Sequence, residues 1–245
     1  MAAALSYLNV TKVYSRSHLG RRYDTLGLSE LTLEVRPGEI LGLLGLNGSG
    51  KTTSIKLALG LLMPSSGEVR IFGKRPQEDG TLKDVGYLPE LPYFYPNLSP
   101  AEALRFYGRL SGLRGADLEK QIGVVLERVG LEPQRKKKMG EFSKGMLQKL
   151  GLAQAVLHRP KILFLDEPVS GLDPVAIRDI RELLSQLSRE GCTLFLSSHS
   201  ISEVERLCHR VAILVRGRLA RLVESAEWEK SPGRLEQIFI ETVAG

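Results

Sequence analysis

Cysteine is scarce: Cys192 and Cys208 are the only two in 245 residues. That is too few for a disulfide framework and fits a reducing compartment. Long apolar runs are missing as well. None approaches the roughly 20 residues that a membrane-spanning helix needs. The opening stretch MAAALSYLNVTKVYSR lacks the basic-then-apolar order of a secretory signal. There is no internal repeat and no low-complexity linker. Cys208-His209 could suggest a metal-ligand pair, but no second Cys/His pair stands at ligand spacing, so a buried thiol beside a surface histidine is expected.

What is present is an ordinary globular composition, 42% hydrophobic and 25% charged, in a chain long enough for a sizeable core. The net charge of +6 (34 basic minus 28 acidic residues) suits anionic ligands, membrane headgroups or nucleic acid, and equally a mildly basic solvated surface.

Strand-like and helix-like stretches alternate. LTLEV alternates as a half-buried strand, EILGLL runs as a buried strand into glycines, and GEVRIFG and DVGYLPE are further short strands. KILFLDEP is a continuous apolar run closed by acids and proline, as a central parallel strand requires. After it come a helix from Pro174 to about Ser188, the strand CTLFLSS, a helix from Ile201 and the strand RVAILV. Such alternation predicts a mostly parallel sheet covered on both faces. Residues 99–157 carry helical patterns without strands, beginning at SPAEALRFYGRL with a Ser cap and Pro in the first position. We read 1–98 and 158–245 as a core with a helical C-terminal tail, and 99–157 as an inserted helical subdomain.

Residues 45–52, GLNGSGKT, match G-x-x-x-x-G-K-[ST] in full, after EILGLL and before KTTSIKLALGLL. Glycines let such a loop wrap an anion so that backbone N–H groups and a helix N-terminus meet phosphates. Lys51 would reach the β- and γ-phosphates, and the Thr52 hydroxyl would ligate Mg²⁺. Asp166, closing the buried run ILFLD, suits the same Mg²⁺. Glu167 follows it, and adjacent strand residues point to opposite faces, so the two acids should not be redundant. Glu167 is then the candidate general base on the attacking water.

EFSKGMLQKL, residues 141–150, opens another helix, with Met146, Leu150, Ala153 and Leu157 at steps of three and four. Its first turn carries Ser143, Lys144 and Gly145. Ser143 can cap the helix, but Met146 stands where the acid or amide of a capping box would be.

With GLNGSGKT, FSKGM, ILFLDEP, SGLD and SSHS in this order, the chain resembles the ATP-binding-cassette (ABC) ATPases, and in particular the nucleotide-binding subunits of exporter-type transporters. The resemblance runs from Tyr14 to the C-terminal helix. It implies an α/β P-loop NTPase fold of the ABC type, with an N-terminal antiparallel β region. ATP and Mg²⁺ would be the cofactors. Tyr14 would stack on adenine, with Tyr23 as the alternative, and Gly45, Leu46, Asn47, Gly48, Ser49, Gly50, Lys51, Thr52 and Thr53 would form the phosphate loop.

Ser143, Lys144, Gly145 and Met146 stand at the family's signature. Phe142 replaces its usual Leu, Lys144 its first glycine and Met146 its Gln. Asp173 falls in the loop used across the dimer, and His199 corresponds to the histidine that senses the γ-phosphate. Glu90 stands where the family usually has Gln. It could ligate Mg²⁺ or orient water, and marks the exporter-like branch.

The implied mechanism needs two cassettes head to tail, with ATP between the phosphate loop of one and residues 143–146 of the other. A homodimer is the simplest arrangement, and a related cassette the alternative partner. Export would run through separate transmembrane subunits, with the chain peripheral on the inner face of the cell membrane. Residues 99–157 and the loop around Glu90 to Tyr95, with Tyr93, Phe94 and Tyr95 together, are the candidate docking surface, with core packing the alternative for those three rings. The RKKK run at 135–138 could face membrane phosphates or simply be a solvated helix end or loop.

An ABC ATPase that remodels the envelope or signals through a membrane complex would carry the same site. A soluble relative acting on nucleic acid or ribosomes usually has paired cassettes, coiled coils or zinc modules, none of which is legible here. No direct nucleic-acid partner is therefore expected. A degenerate cassette that binds ATP without cutting it fits poorly with Glu167 and His199 both present.

Overall fold

The structure, a computed structural model, describes residues 3–18, 21–229, 231 and 233–244. It divides into two compact units: Met1–Leu82 with Phe195–Gly245, and Lys83–Leu194.

In the first unit, β1 (Leu5–His18) and β2 (Arg21–Val35) form a long antiparallel pair, and β4 (Ser66–Ile71) joins the other side of β1. The alternation read in LTLEV is realised: Leu31, Leu33 and Val35 are buried while Thr32 and Glu34 are exposed. β1 is less clearly marked by its residue pattern. Its pairing with β2 is interrupted by register shifts between Tyr7 and Val13, and Asn9 there takes a positive φ of 52°.

β3 (Ile40–Leu44) is buried at every position and pairs in parallel with β8 (Arg210–Val215), as a strand covered on both faces should. The last strand, β9 (Arg218–Glu224), has no clear strand pattern in the sequence. It returns antiparallel to β8, so the C-terminal tail is a strand before it is helical. The tail's helix, α7 (Arg234–Ala244), follows Trp228, which is buried and donates its Nε1–H to the Glu205 carbonyl at 3.2 Å. Glu205 belongs to the short helix α6 (Ile201–Leu207).

α1 (Lys51–Ala58) is shorter than the pattern KTTSIKLALGLL suggested. Gly60, at φ 68°, donates to the Leu57 carbonyl and Leu61 donates to that of Lys56. This is the paired bonding of a glycine-terminated helix, and it stops α1 before its apolar continuation. Tyr7, fully buried in β1, donates its hydroxyl to the Ser54 carbonyl at 2.9 Å and so ties the antiparallel sheet to α1.

The second unit holds the parallel pair β5 (Val85–Leu88) and β6 (Ile162–Asp166) with four helices: α2 (Pro100–Leu110), α3 (Gly115–Arg128), α4 (Lys144–Val156) and α5 (Pro174–Arg189). No strand lies between 99 and 157 among the described residues. α2 starts with a complete capping box: the Ser99 hydroxyl accepts from the Glu102 N–H, and the Glu102 carboxylate accepts from the Ser99 N–H. β7 (Thr193–Ser198), buried throughout, begins in this unit and ends in the other.

Candidate functional site

The loop between β3 and α1 has the backbone of an anion cradle. Gly48 and Gly50 have φ values of 79° and 106°, which L side chains rarely adopt, and Gly50 is the N-cap of α1. The first turn of α1 carries no acidic residue, so its N-terminus keeps its positive potential. Lys51 is buried, and its ammonium arcs back over the loop to donate to the carbonyls of Gly45 (2.8 Å) and Leu46 (3.4 Å). Thr52 is exposed in the first turn, Thr53 half-buried, and Leu46, Asn47 and Gly48 form the open rim.

Tyr14 reaches this loop from β1. Its hydroxyl lies 3.2 Å from Thr53 Oγ1, and its ring packs so closely on Gly27 of β2 that a Cβ there would stand 2.6 Å from the ring. Lys12 sits 5.5 Å from the ring centroid. Tyr23 lies further along the hairpin, paired with Arg16 and exposed. Gly27 lies outside the recognised motifs, although an isolated glycine in a strand signals close approach. His199 follows β7 in the same unit and is exposed.

The second unit holds the carboxylates and the signature segment. Asp166 ends β6 and is 4% exposed, and its charge adds to burial in raising the titration of the half-buried Tyr87 phenol on the adjacent strand. Glu167 does not continue the strand. Its φ is +50°, a left-handed conformation uncommon for a side chain with a Cβ, and it turns the chain at the carboxylate. The strand-alternation argument for separating the two acids therefore gives way to a backbone turn between them. Glu90 is exposed two residues beyond β5.

Ser143 caps α4, its hydroxyl accepting from the Met146 N–H at 3.2 Å with no capping-box acid. Lys144 is exposed, and Gly145 and Met146 are half-buried. Asp173 is the N-cap of α5, with Oδ1 accepting from Val175 and Ala176, both at 3.0 Å. The two helix starts touch: a Cβ on Gly145 would lie 3.4 Å from Ala176 Cβ and 3.8 Å from Asp173 Oδ2. Gln148, one turn into α4, is buried and donates to the Pro168 carbonyl at 3.0 Å, fastening α4 to the turn after Glu167. Nothing in its sequence position signalled this.

The expected aromatic cluster divides. Tyr93 and Tyr95 are 81% and 62% exposed, whereas Phe94 is core, edge-on to Tyr107 of α2. Within the basic run, Arg135 pairs with Glu119 and Glu132, Lys137 with Glu141 and Lys138 with Glu102. Cys208 is buried, and His209 Nδ1 accepts from the Ile40 N–H at 3.1 Å. Among the described residues no group of three or more His, Cys, Asp or Glu could hold a metal. Thr52 in the first unit and Asp166 in the second each offer a hard oxygen of the kind Mg²⁺ takes, and an ion held chiefly by nucleotide phosphates needs no such cage.

The model of the ABC transporter family matches residues 28–170. A solved ATP-binding subunit of an ABC transporter superposes with a TM-score of 0.81 at 30% identity, covering 98% of this chain and 99% of that one. BcrA, a bacitracin transport ATP-binding protein of Bacillus licheniformis, is 39% identical over 222 residues, covering 89% of this chain and 69% of BcrA. An uncharacterised ABC transporter ATP-binding protein of Synechocystis is 40% identical over 212 residues, or 86% of this chain. The chain spans only 60% of that relative's length. On these matches, and with an anion-cradling loop ahead of α1, the chain belongs to the ABC transporter family of ATP-binding ATPase cassettes.

Proposed function

We propose that this cassette is the ATP-hydrolysing subunit of a transporter, that two copies close around two ATP molecules, and that closure drives export through separate transmembrane subunits. The observation that carries dimerisation is the bareness of Gly145. Its φ is not positive, and a methyl group there would meet only ordinary contacts, at 3.4 Å and beyond. Among the described residues nothing near Gly145 requires a glycine. A phosphate approaching the first turn of α4 from another molecule does, and the acid-free turn with Ser143 and Lys144 favours an anion there.

Each residue then has a task. Residues 45–53 and Lys51 hold the β- and γ-phosphates, and Tyr14 packs on the adenine. Thr52, Asp166 and Glu90 would hold Mg²⁺, which would neutralise charge developing on the transferred phosphoryl group. Glu167 accepts a proton from the attacking water. His199 hydrogen-bonds the γ-phosphate, while Ser143 to Met146 complete the partner's site. Asp173, which caps α5 and borders Gly145, transmits the state of one site to the other.

No helix among the described residues is long and apolar enough to cross a membrane, so the reading assigns translocation to other subunits. Leu91, Tyr93 and Tyr95, with Phe106 and Leu110 of α2, are all more than half exposed and offer an apolar docking face. The 39% identity to a bacitracin transport ATP-binding protein supports the transport role. The test is ATP-dependent dimerisation of the Glu167→Gln protein by light scattering, followed by identification of the membrane subunit that co-purifies. A protein that stays monomeric with saturating ATP and Mg²⁺ would overturn the dimer. Recovery of no membrane subunit would overturn the transport role.

A further inference from the structure

The turn between β8 and β9 consists of Arg216 and Gly217, both at positive φ (48° and 82°), a hairpin of the type that joins strands through two residues. The turn reaches well beyond its own hairpin. The Gly217 N–H donates to the Ser49 carbonyl at 3.1 Å, and the Gly217 carbonyl accepts from the Ser29 N–H of β2 at 2.8 Å. Gly217 also lies against Gly27 and Leu28, where a Cβ would be 3.1 Å from the Gly27 oxygen and 3.2 Å from Leu28 Cα. Gly50 presses on the same segment, where its Cβ would stand 2.7 Å from the Gly27 oxygen. Phosphate loop and hairpin turn thus share one stretch of β2 as an anvil.

The bond to Ser49 has a directional consequence. The peptide joining Ser49 and Gly50 is planar and trans, so its C=O and N–H point in opposite directions. Holding the Ser49 carbonyl towards Gly217 turns the Gly50 N–H the other way. Gly50 is the N-cap of α1, and its amide belongs to the set a phosphate loop offers to an anion.

We infer that Gly217 is a positioning residue for nucleotide binding, its amide locking the 49–50 peptide so that the Gly50 N–H faces the phosphates. The inference rests on the phosphate-loop reading above. It assigns a role in ATP binding to a residue 166 positions beyond Lys51 in the chain, outside every motif that identifies the cassette.

The decisive variant removes one hydrogen-bond donor by exchanging an N–H for an oxygen. Native Cys208 permits ligation of a synthetic peptide running from Cys208 to the C-terminus, in which the amide of Gly217 is replaced by an ester. The expected result is about tenfold weaker binding of ADP and of ATP in titration calorimetry, with the nucleotide-free melting temperature within a few degrees of the ligated all-amide protein. Unchanged affinity, with or without lost stability, would mean that the turn only closes a hairpin, and would overturn the inference.

Should the ester chain fail to fold, Gly217→Ala provides the second reading. It keeps the N–H but displaces it, through crowding against Gly27 and the positive φ, and it should weaken nucleotide binding several-fold while Arg216→Gly does not. Equal affinities for Gly217→Ala, Arg216→Gly and wild type would again overturn the inference. An all-amide protein that binds no nucleotide would instead refute the phosphate-loop reading itself.

Discussion

The Lys144 ammonium in the first turn of α4 lies against Gly171, near enough that a Cβ on Gly171 would stand 2.6 Å from it. One residue on, Gly145 borders Asp173. The signature turn and the loop that caps α5 therefore form one surface on one chain, and a bulky intrusion into that surface should be felt by a partner rather than by the chain's own nucleotide. Ser143→Arg is expected to leave ATP affinity of the monomer within about twofold. It should abolish ATP-driven dimerisation and lower turnover by about two orders of magnitude or more. Sedimentation with and without ATP, alongside a phosphate-release assay, distinguishes this from loss of a simple helix cap, which would lower melting temperature and spare dimerisation.

Glu167 sits in a left-handed turn directly after the buried Asp166. Glu167→Gln keeps the shape of the side chain and removes its basicity. Hydrolysis should fall about a hundredfold or more, with ATP binding unchanged by calorimetry. Turnover within threefold of wild type would remove Glu167 from the role of general base.

Arg210 and Glu39 are each 5% exposed at the side chain and paired at 3.2 Å, and Arg210 also donates to the Glu34 carbonyl. Removing Arg210 leaves the Glu39 carboxylate buried without its countercharge, whereas Arg210 has a second partner in Glu224 at 3.4 Å. Arg210→Ala should cost about 3–5 kcal/mol, a fall in melting temperature of roughly 10 °C for a chain of this size. The double change Glu39→Gln with Arg210→Met should recover much of it, as thermal unfolding will show.

Burial pushes the Cys192 thiol up to about 12 and raises that of Cys208 further, each with a smaller contribution from a nearby glutamate. The thiolate is the reactive form, so neither should react measurably with iodoacetamide at pH 8 in the folded protein, and both should react in denaturant. Mass spectrometry of the alkylated chain settles the count. Labelling of either residue in the native state would contradict the burial.

The Glu102 carboxyl is held at about 2, chiefly by the Ser99 N–H and then by the Ser99 hydroxyl and Lys138. A depressed carboxyl contributes stability that is complete above the unfolded value near 4.5 and is lost as pH falls through about 2. Glu102→Gln should therefore be less stable than wild type at pH 7, with the difference shrinking below about pH 4.5 and vanishing near pH 2. Urea unfolding at stepped pH measures it. Ser99→Ala removes the cap itself and should cost about 1 kcal/mol at neutral pH.

Much of this molecule is legible without coordinates because its signals are local. GLNGSGKT needs only a strand before it and a helix after it, and both are present as β3 and α1. The Ser-Pro start of α2, the buried run of β6 and the alternation of LTLEV depend on spacing within a few residues, and each appears as read.

The sequence determined the family, the run of elements from β2 to β8 and the candidate residues, since glycines, carboxylates and apolar periods act over one turn or one strand. Only the tertiary structure decided that Glu167 leaves the strand in a left-handed turn, that Phe94 is core while Tyr93 and Tyr95 are exposed, and that Tyr14 reaches Thr53. It alone decided that Gly217 braces Ser49 and that Arg210 is buried against Glu39. Those facts depend on strand register and on which distant backbones pack together. Such contacts form between residues tens to hundreds of positions apart, where no local pattern constrains them.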